Sequence, residues 1–267
     1  MSATILMWLF VLGGTVGVLA GLMGIGGGMI MVPFLVTAFG HEGYPQDALI
    51  KMAIGTSLAT IIFTSVSSII THHRLGGVRW PVVRALTPGI MVGALIGTQV
   101  VEHTPATIMM IGFSLFLLWS AWRLARRAPA SPLIVNAPDP SGLRLAGVGS
   151  GIGLLSSLVG AGGGFMTIPW LISKGMLPSR AIGSSAACGL PIALAGSIGY
   201  MLAGREFILP GPVIGFIHLP ALFAIAAASV LSAPFGARLA HRLPAQTMRR
   251  LLAAMLTILA IYTLGHL

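Results

Sequence analysis

Long stretches without a charged side chain are the feature that most limits how this chain can fold. Residues 1–40 contain no Asp, Glu, Lys or Arg, and further charge-free runs lie at 52–71, 85–101, 104–122, 145–173, 181–204, 207–237 and 251–267. A helix needs about 20 apolar residues to cross the hydrocarbon core of a bilayer. Only 7% of the residues are charged and the mean hydropathy is +0.97, against about 25% charged in soluble domains. We therefore predict an all-α polytopic membrane protein.

The formal net charge of +10 raises the alternative of a nucleic-acid-binding protein. The basic residues, however, stand in short segments between apolar runs, which is the pattern that the positive-inside rule produces in cytoplasmic loops. We therefore expect a lipid bilayer, and no nucleic acid, as a partner. The single cysteine, Cys188, excludes an internal disulfide.

A glycine-rich segment occurs twice and indicates an internal repeat. Residues 24–28 read Gly-Ile-Gly-Gly-Gly and are followed by Pro33, and residues 160–164 read Gly-Ala-Gly-Gly-Gly and are followed by Pro169. The offset is 136 (160 minus 24). Ordered matches of Gly and Pro are far less common by chance than matches between apolar residues, so we infer a duplication.

Two further matches keep the same order along the chain. Ala-Ile-Gly-Thr-Ser at 53–57 recurs as Ala-Ile-Gly-Ser-Ser at 181–185, an offset of 128 (181 minus 53). A weaker match pairs three positions of the first half with three of the second: Gly93, Gly97 and Pro105 with Ser232, Gly236 and Pro244. We divide the chain into a first transmembrane repeat at 1–128, a cytoplasmic linker at 129–142 and a second repeat at 143–267.

Loop charges indicate that the second repeat is inverted relative to the first. In each half we predict a Gly-broken helical hairpin and three transmembrane helices: 5–23 with 29–40, 49–71, 82–101 and 106–123, then 144–173, 181–203, 211–236 and 247–265. Of the fifteen Lys and Arg residues, only Lys51 and Arg205 then lie on the outer side. A single crossing per glycine-rich segment would divide the basic residues almost evenly, so the positive-inside rule favours the hairpins.

The glycine-rich segments are the predicted substrate site. Short, Gly-interrupted helices in both halves of a membrane protein point to a transporter site at the repeat interface. Helices that begin after the glycines offer unpaired N–H groups and a positive dipole end to a small anion. The predicted binding residues are Gly26, Gly27, Gly28, Gly162, Gly163 and Gly164. The alternative is that such glycines only permit close helix packing, which we favour for Gly13, Gly17, Gly21, Gly147 and Gly151.

Hydroxyl groups follow the glycines in both halves. Thr56, Ser57, Ser184 and Ser185 could donate hydrogen bonds to an oxyanion, or bond to the backbone or between helices. Less specific candidates for coupling or gating are His72, His73, His218, Gln99, Lys51 and Arg180. For these the simpler interpretations are an interfacial pair for His72 and His73, a structural hydrogen bond for His218 inside a span, and solvated helix ends for Lys51 and Arg180.

The five acidic residues all fall in predicted loops or at span ends: Glu42, Asp47, Glu102, Asp139 and Glu206. A buried carboxylate is the usual proton or sodium relay in a membrane, so this distribution favours an anion as substrate. The sequence has no carboxylate pair, metal-ligand cluster or nucleophile with an adjacent base, which argues against an enzyme. We expect no metal and no cofactor.

The two glycine segments with Pro33 and Pro169, and the two Ala-Ile-Gly-(Ser/Thr)-Ser motifs, resemble those of the TauE/SafE family of sulfite exporters. The resemblance extends over nearly the whole chain. It implies a multi-pass protein of the bacterial inner membrane that exports sulfite or a related sulfur-containing or organic anion. An anion channel with the same site and a non-transporting scaffold remain alternatives, and the sequence leaves open whether copies form a homo-oligomer.

Overall fold

A computed structural model describes residues 3–126, 142–242 and 244–265. Ten α-helices and one short β-hairpin make up these residues. The first half contains α1 (Ala3–Met23), α2 (Gly28–His41), α3 (Gln46–Arg74), α4 (Trp80–Glu102) and α5 (Ala106–Arg126). The second half contains α6 (Gly142–Val159), α7 (Gly164–Ser173), α8 (Pro178–Ala203), β1 (Val213–Ile214), β2 (Ile217–His218), α9 (Leu219–Ala240) and α10 (Ala245–Leu264).

The prediction of an all-α polytopic membrane protein is confirmed. Within the described ranges, five helices are long and apolar enough to cross a membrane: α1, α3, α4, α8 and α9. Large apolar side chains cover their outer faces, and Trp8, Leu231 and Phe235 are 67%, 69% and 64% exposed. Exposing so continuous an apolar surface to water would be unfavourable, so these faces are suited to contact lipid.

Two helices are too short to span a bilayer. α2 has 14 residues and α7 has 10, which corresponds to about 21 Å and 15 Å at 1.5 Å per residue. Each follows a glycine turn that reverses the chain. Gly27 lies against Val16 and Ala20 of α1, and Gly163 lies against Ile152 and Ser156 of α6. Both glycine-rich segments therefore form the tip of a helical hairpin, at the positions that the sequence predicts.

The two hairpins pack against the opposite halves of the chain through small residues. Along α1 and α9, Gly13 lies against Ile225 and Gly17 against Ser229. The residue numbers of the contacting positions increase together along both helices, so α1 and α9 run parallel. The backbones approach so closely that a Cβ on Gly17 would overlap with α9, which is the packing expected of small residues at four-residue spacing.

The pair α4 and α6 repeats this arrangement, with Gly89 against Ala146 and Gly93 against Ser150. Here one prediction is wrong. Gly147 and Gly151 face outward, and a Cβ added to either would meet nothing within 4 Å, whereas Gly149 and Gly153 contact the α4 backbone at Leu86 and Ile90. The packed face of α6 is therefore offset by two residues from the one predicted.

The central pair, α3 and α8, runs antiparallel. Gly55 lies against Tyr200, Leu58 against Gly196 and Ser65 against Gly189, so the residue numbers change in opposite directions. These helices are largely buried, because α1 and α9 pack on one side of them and α4 and α6 on the other. They carry the two Ala-Ile-Gly motifs into the centre of the protein.

The predicted span at 211–236 begins too early. Residues 213–218 form the β-hairpin, in which Val213 pairs with His218 and Ile214 with Ile217, and α9 starts only at Leu219. Pro220 accounts for the position of this start, because it is the second residue of α9 and proline is favoured in the first turn of a helix, where its missing N–H costs no hydrogen bond. The predicted linker at 129–142 lies, up to residue 141, outside the described residues.

Candidate functional site

The two glycine tips meet in the buried centre of the protein. The N–H of Gly162 donates a hydrogen bond to the carbonyl oxygen of Ile25 (3.0 Å). A Cβ on Gly28 would overlap with the carbonyl oxygen of Gly160, and a Cβ on Gly164 would lie 2.5 Å from that of Gly24. The tips are therefore in contact backbone to backbone, and only glycine fits at these two positions.

Left-handed glycines make the sharp turns that bring the tips together. Gly27 (φ 75°) and Gly163 (φ 74°) are the residues before α2 and α7, and neither helix has a side-chain hydrogen bond at its N-terminus. Other residues adopt this conformation only at a cost. The N–H groups of Ile30 and Met166 donate to the carbonyl oxygens of Gly27 and Gly163 (3.1 Å each), and those of the first two residues of each helix have no partner within the helix. Two positive helix ends without a side-chain cap therefore begin at the meeting point.

Ser57 and Ser185 connect each tip to the central helix of the other half. The Ser57 hydroxyl donates to the carbonyl oxygen of Gly160 (3.0 Å), and the Ser185 hydroxyl donates to that of Gly24 (2.9 Å). Both serines are fully buried. Of the two roles considered for these hydroxyls, this conformation shows the bond to the backbone, and a ligand would have to displace the carbonyl to receive the proton.

Thr56 and Ser184 each accept a hydrogen bond from a backbone N–H group. The N–H of His218 donates to Thr56 Oγ1 (3.0 Å), and the N–H of Arg79 donates to Ser184 Oγ (2.9 Å). His218 and Arg79 immediately precede α9 and α4. The two motifs thus anchor the start of a helix in the same way in each half.

We expect Ser185→Ala to destabilise the protein by about 1–3 kcal/mol, because the Gly24 carbonyl loses its buried donor. Ser57→Ala should lower the stability by a similar amount, since it leaves the buried Gly160 carbonyl without its hydroxyl donor. Ser114→Ala is the matched control, because that buried hydroxyl donates to the Met110 carbonyl of its own helix and not to a tip. The measurement is unfolding of each variant in detergent, and a control that costs as much as Ser185→Ala would contradict the prediction.

His72 is not an interfacial side chain. It is fully buried, its Nε2 lies 2.9 Å from the carbonyl oxygen of Gly21, and its ring is 5.6 Å from that of His241. His73 next to it is exposed and accepts a hydrogen bond from the indole of Trp80 (3.2 Å). The pair therefore divides into one inward and one interfacial histidine.

Lys51 is not at a solvated helix end either. Its side chain is only 6% exposed, and Nζ lies 5.6 Å from the ring centre of Phe207 and 5.9 Å from that of Phe216, within the range of cation–π contacts. Arg180, by contrast, is exposed as expected, and Gln99 is on the exposed face of α4. Neither Arg180 nor Gln99 joins the buried tips.

His218 lies at the start of α9 and not inside a span. Its Nδ1 accepts a hydrogen bond from the N–H of Ala221 (3.2 Å), so the ring caps the helix. Phe39 and Tyr44 pack against the ring, with centroids 5.2 Å and 5.7 Å away. Burial among these groups lowers the pKa of His218 from 6.5 to about 4, although the Glu42 carboxylate partly opposes the shift.

This pKa predicts a loss of stability in acid. Between pH 6.5 and 4 the unfolded chain binds a proton at His218 that the folded protein excludes, so this contribution to stability falls as the pH decreases. His218→Asn keeps a capping acceptor without a titrating ring. We therefore expect the melting temperature of the wild type to fall more between pH 7.5 and 4.5 than that of the variant. Equal decreases would contradict the assignment.

A column of polar side chains on α3 was not predicted from the sequence. Thr56, Thr60, Thr64, Ser68 and His72 follow each other at intervals of four residues, and all are buried. The Thr60 and Thr64 hydroxyls donate to the carbonyls four residues earlier (2.8 and 3.2 Å), and Thr64 also contacts the Ser229 hydroxyl of α9 (2.8 Å). The regular spacing was the signal that could have identified this column.

Comparison of the chain with known proteins identifies its family. The family model described as sulfite exporter TauE/SafE matches residues 9–263. The chain belongs to this family. Membership makes it a membrane transport protein and not an enzyme.

Several relatives match over most of their length. A probable membrane transporter protein of Haemophilus influenzae is 32% identical, with 97% of both chains covered. One of Methanocaldococcus jannaschii is 27% identical over 96% of this chain and 94% of its own length, and one of Bacillus subtilis is 29% identical over 77% and 80%. No solved structure matches the chain.

Proposed function

We propose that this protein exports a small anion, sulfite or a related sulfur-containing or organic anion, across the bacterial inner membrane. The observation that carries the proposal is the meeting of two uncapped helix N-termini, α2 and α7, at the buried glycine tips. Positive dipole ends and bare backbone N–H groups attract an anion where few other groups could neutralise it. The proposed binding residues are Gly26, Gly27, Gly28, Gly162, Gly163, Gly164, Thr56, Ser57, Ser184 and Ser185.

The two halves, 1–128 and 143–267, are proposed to be inverted repeats. In support, the equivalent helices α3 and α8 are antiparallel, and the equivalent contacts Gly55–Tyr200 and Gly183–His72 cross the same interface. Such a pair can rock about a central site and expose it alternately to each side of the membrane.

The distribution of acidic residues supports an anion over a cation. In the described part of the chain, Glu42 follows α2, Asp47 is in the first turn of α3, Glu102 ends α4 and Glu206 lies after α8. None is inside a span, where a cation carrier would need its carboxylate. Coupling or gating is assigned to His72, with His73, His218, Lys51, Arg180 and Gln99 as further candidates.

A carrier fits the closed centre better than a channel. The two tips touch through the hydrogen bond between Gly162 and Ile25, so their backbones are in direct contact in this conformation. A substrate can pass only if the tips separate, which is the behaviour of alternating access.

The test is uptake of labelled sulfite into liposomes that contain the purified full chain, with sulfate, thiosulfate and a short sulfonate as competitors and empty liposomes as the control. Saturable uptake that is accelerated by sulfite on the opposite side supports an anion carrier. Uptake without saturation or exchange would favour the channel. No flux of any of these anions would contradict the proposed substrate class and favour the scaffold.

A further inference from the structure

A narrow crevice lies beside the glycine tips on the side of the C-terminal half of α3. It is lined by Ala20 of α1, Gly26 of the first tip, Thr64, Ser65 and Ser68 of α3, and Ala186 of α8. Its three hydroxyl side chains are at most 3% exposed. In this conformation the crevice is too narrow to hold a water molecule.

Ser68 has an unused hydroxyl in this crevice. It is 2% exposed, and its Oγ has no hydrogen-bond partner among the described residues. A buried polar group without a partner costs free energy, and the crevice leaves no room for water to offset that cost. One turn further along the same face, His72 is fully buried and its Nδ1 also has no partner in the described structure. Ser68 and His72 thus place two polar groups without partners in succession along α3, between the tips and the C-terminal end of the helix.

The equivalent face of α8 in the second half carries no hydroxyl groups. The offset of 128 relates Thr64, Ser65 and Ser68 to Ile192, Ala193 and Gly196, and relates Ala186 to Leu58. Leu58 lies against Gly196, and Ile192 lies against Gly163 of the second tip. The hydroxyls of Thr64, Ser65 and Ser68 thus have no counterpart on α8. Beside the second tip, the hydroxyl without a partner among the described residues is that of Ser156 on α6.

We infer that the transported oxyanion passes between the glycine tips and the cytoplasmic side through this hydroxyl-lined crevice, with Ser65 and Ser68 donating hydrogen bonds to it on the way to His72. The inference rests on the proposed function and names the inner half of its path. Neutral hydroxyl donors suit an oxyanion in transit, because they satisfy its oxygens without the strong retention that a buried lysine or arginine would give. Leu58 and Ile192 fill the equivalent positions in the second half, against Gly196 and Gly163.

The crevice is tested with sulfite uptake into liposomes that contain the full chain. Ser68→Ala removes the unpartnered donor, and we expect it to raise the half-saturation concentration by about tenfold or more, since hydrogen bonds to charged groups are worth that much. Ser120→Ala is the matched control, because Ser120 is also 2% exposed and its Oγ also has no partner among the described residues, but it lies on α5 outside the crevice. The control should stay within about twofold of the wild type.

A second variant tests whether the substrate needs the space in the crevice, independently of the Ser68 hydroxyl. Ala186→Leu gives the first crevice the side chain that its equivalent position, Leu58, already has, and should reduce the maximal rate to the level of empty liposomes. Leu58→Ala makes the reverse change at the equivalent position of the second half and should leave the half-saturation concentration unchanged. Melting curves in detergent show whether each variant is folded, and Ser68→Ala decides alone if Ala186→Leu is not.

The outcomes separate the two proposals. Sulfite flux in the wild type with a raised half-saturation concentration in Ser68→Ala alone supports the crevice. Flux in the wild type with Ser68→Ala indistinguishable from Ser120→Ala overturns the crevice and leaves the proposed function intact. A wild type that carries none of the oxyanions overturns the proposed function, and this inference with it.

Discussion

Gly28→Ala should abolish sulfite uptake, and Gly164→Ala should do the same. In each case the added methyl group would occupy the position of a carbonyl oxygen on the opposite tip, Gly160 or Gly24. Neither carbonyl can move freely, because Ser57 and Ser185 bind them from the central helices. The two tips would be forced apart and the uncapped ends of α2 and α7 would no longer face one site. Uptake into liposomes should therefore fall to the level of empty liposomes.

The control for both variants is Gly14→Ala. Gly14 is also a glycine of the first hairpin, but a Cβ there meets nothing within 4 Å. We expect Gly14→Ala to transport at the wild-type rate, since alanine is at least as favourable as glycine in a helix. Each purified variant should first be shown to melt cooperatively. A folded Gly28→Ala protein that transports like Gly14→Ala would show that the meeting of the tips is not needed for transport.

The tips could be predicted from sequence because two independent signals coincide there. Five glycines or prolines recur in order after 136 residues, and the segments around them lack charge. Only a backbone that turns sharply and packs closely requires glycine at so many fixed positions. The serine motifs could be located but their partners could not, since whether a hydroxyl bonds to a ligand or a carbonyl depends on which backbone lies opposite.

Other features were hidden because they depend on tertiary contacts. The burial of Lys51 depends on Phe207 and Phe216, which are more than 150 residues away in sequence (207 minus 51). His72 looked interfacial because it neighbours His73 and Arg74 at a helix end, yet α1 covers it through Gly21. The crevice could not be predicted from either half alone, because it is formed by α1, α3 and α8 together.

The sequence contained enough information to predict the packed face of α6, although the prediction of Gly147 and Gly151 was wrong. Gly147 and Gly151 have the same four-residue spacing as Gly149 and Gly153, so spacing alone cannot distinguish them. The offset of 136 can, because it relates Gly13 and Gly17 of α1 to Gly149 and Gly153 (13 plus 136 and 17 plus 136). The repeat therefore contained information on packing as well as on the tips.

Alanine substitutions on the two faces of α6 should differ strongly in their effect on stability. Gly153→Ala should destabilise the protein by about 1–3 kcal/mol or more, because the methyl group would overlap with the Ile90 carbonyl oxygen and force α4 and α6 apart. Gly151→Ala, on the same helix two residues earlier, meets nothing within 4 Å. It should be neutral or slightly stabilising, since alanine is favoured over glycine by up to about 1 kcal/mol in a helix interior.

Unfolding of both variants in detergent, measured side by side, checks the register of α6 against α4. Because the two substitutions are chemically identical, their difference reports only on which face of α6 is packed. A larger loss for Gly151→Ala than for Gly153→Ala would mean that α6 is rotated from the orientation described. Since Gly89 and Gly93 contact Ala146 and Ser150 of α6 in the same register, such a result would also contradict those two contacts.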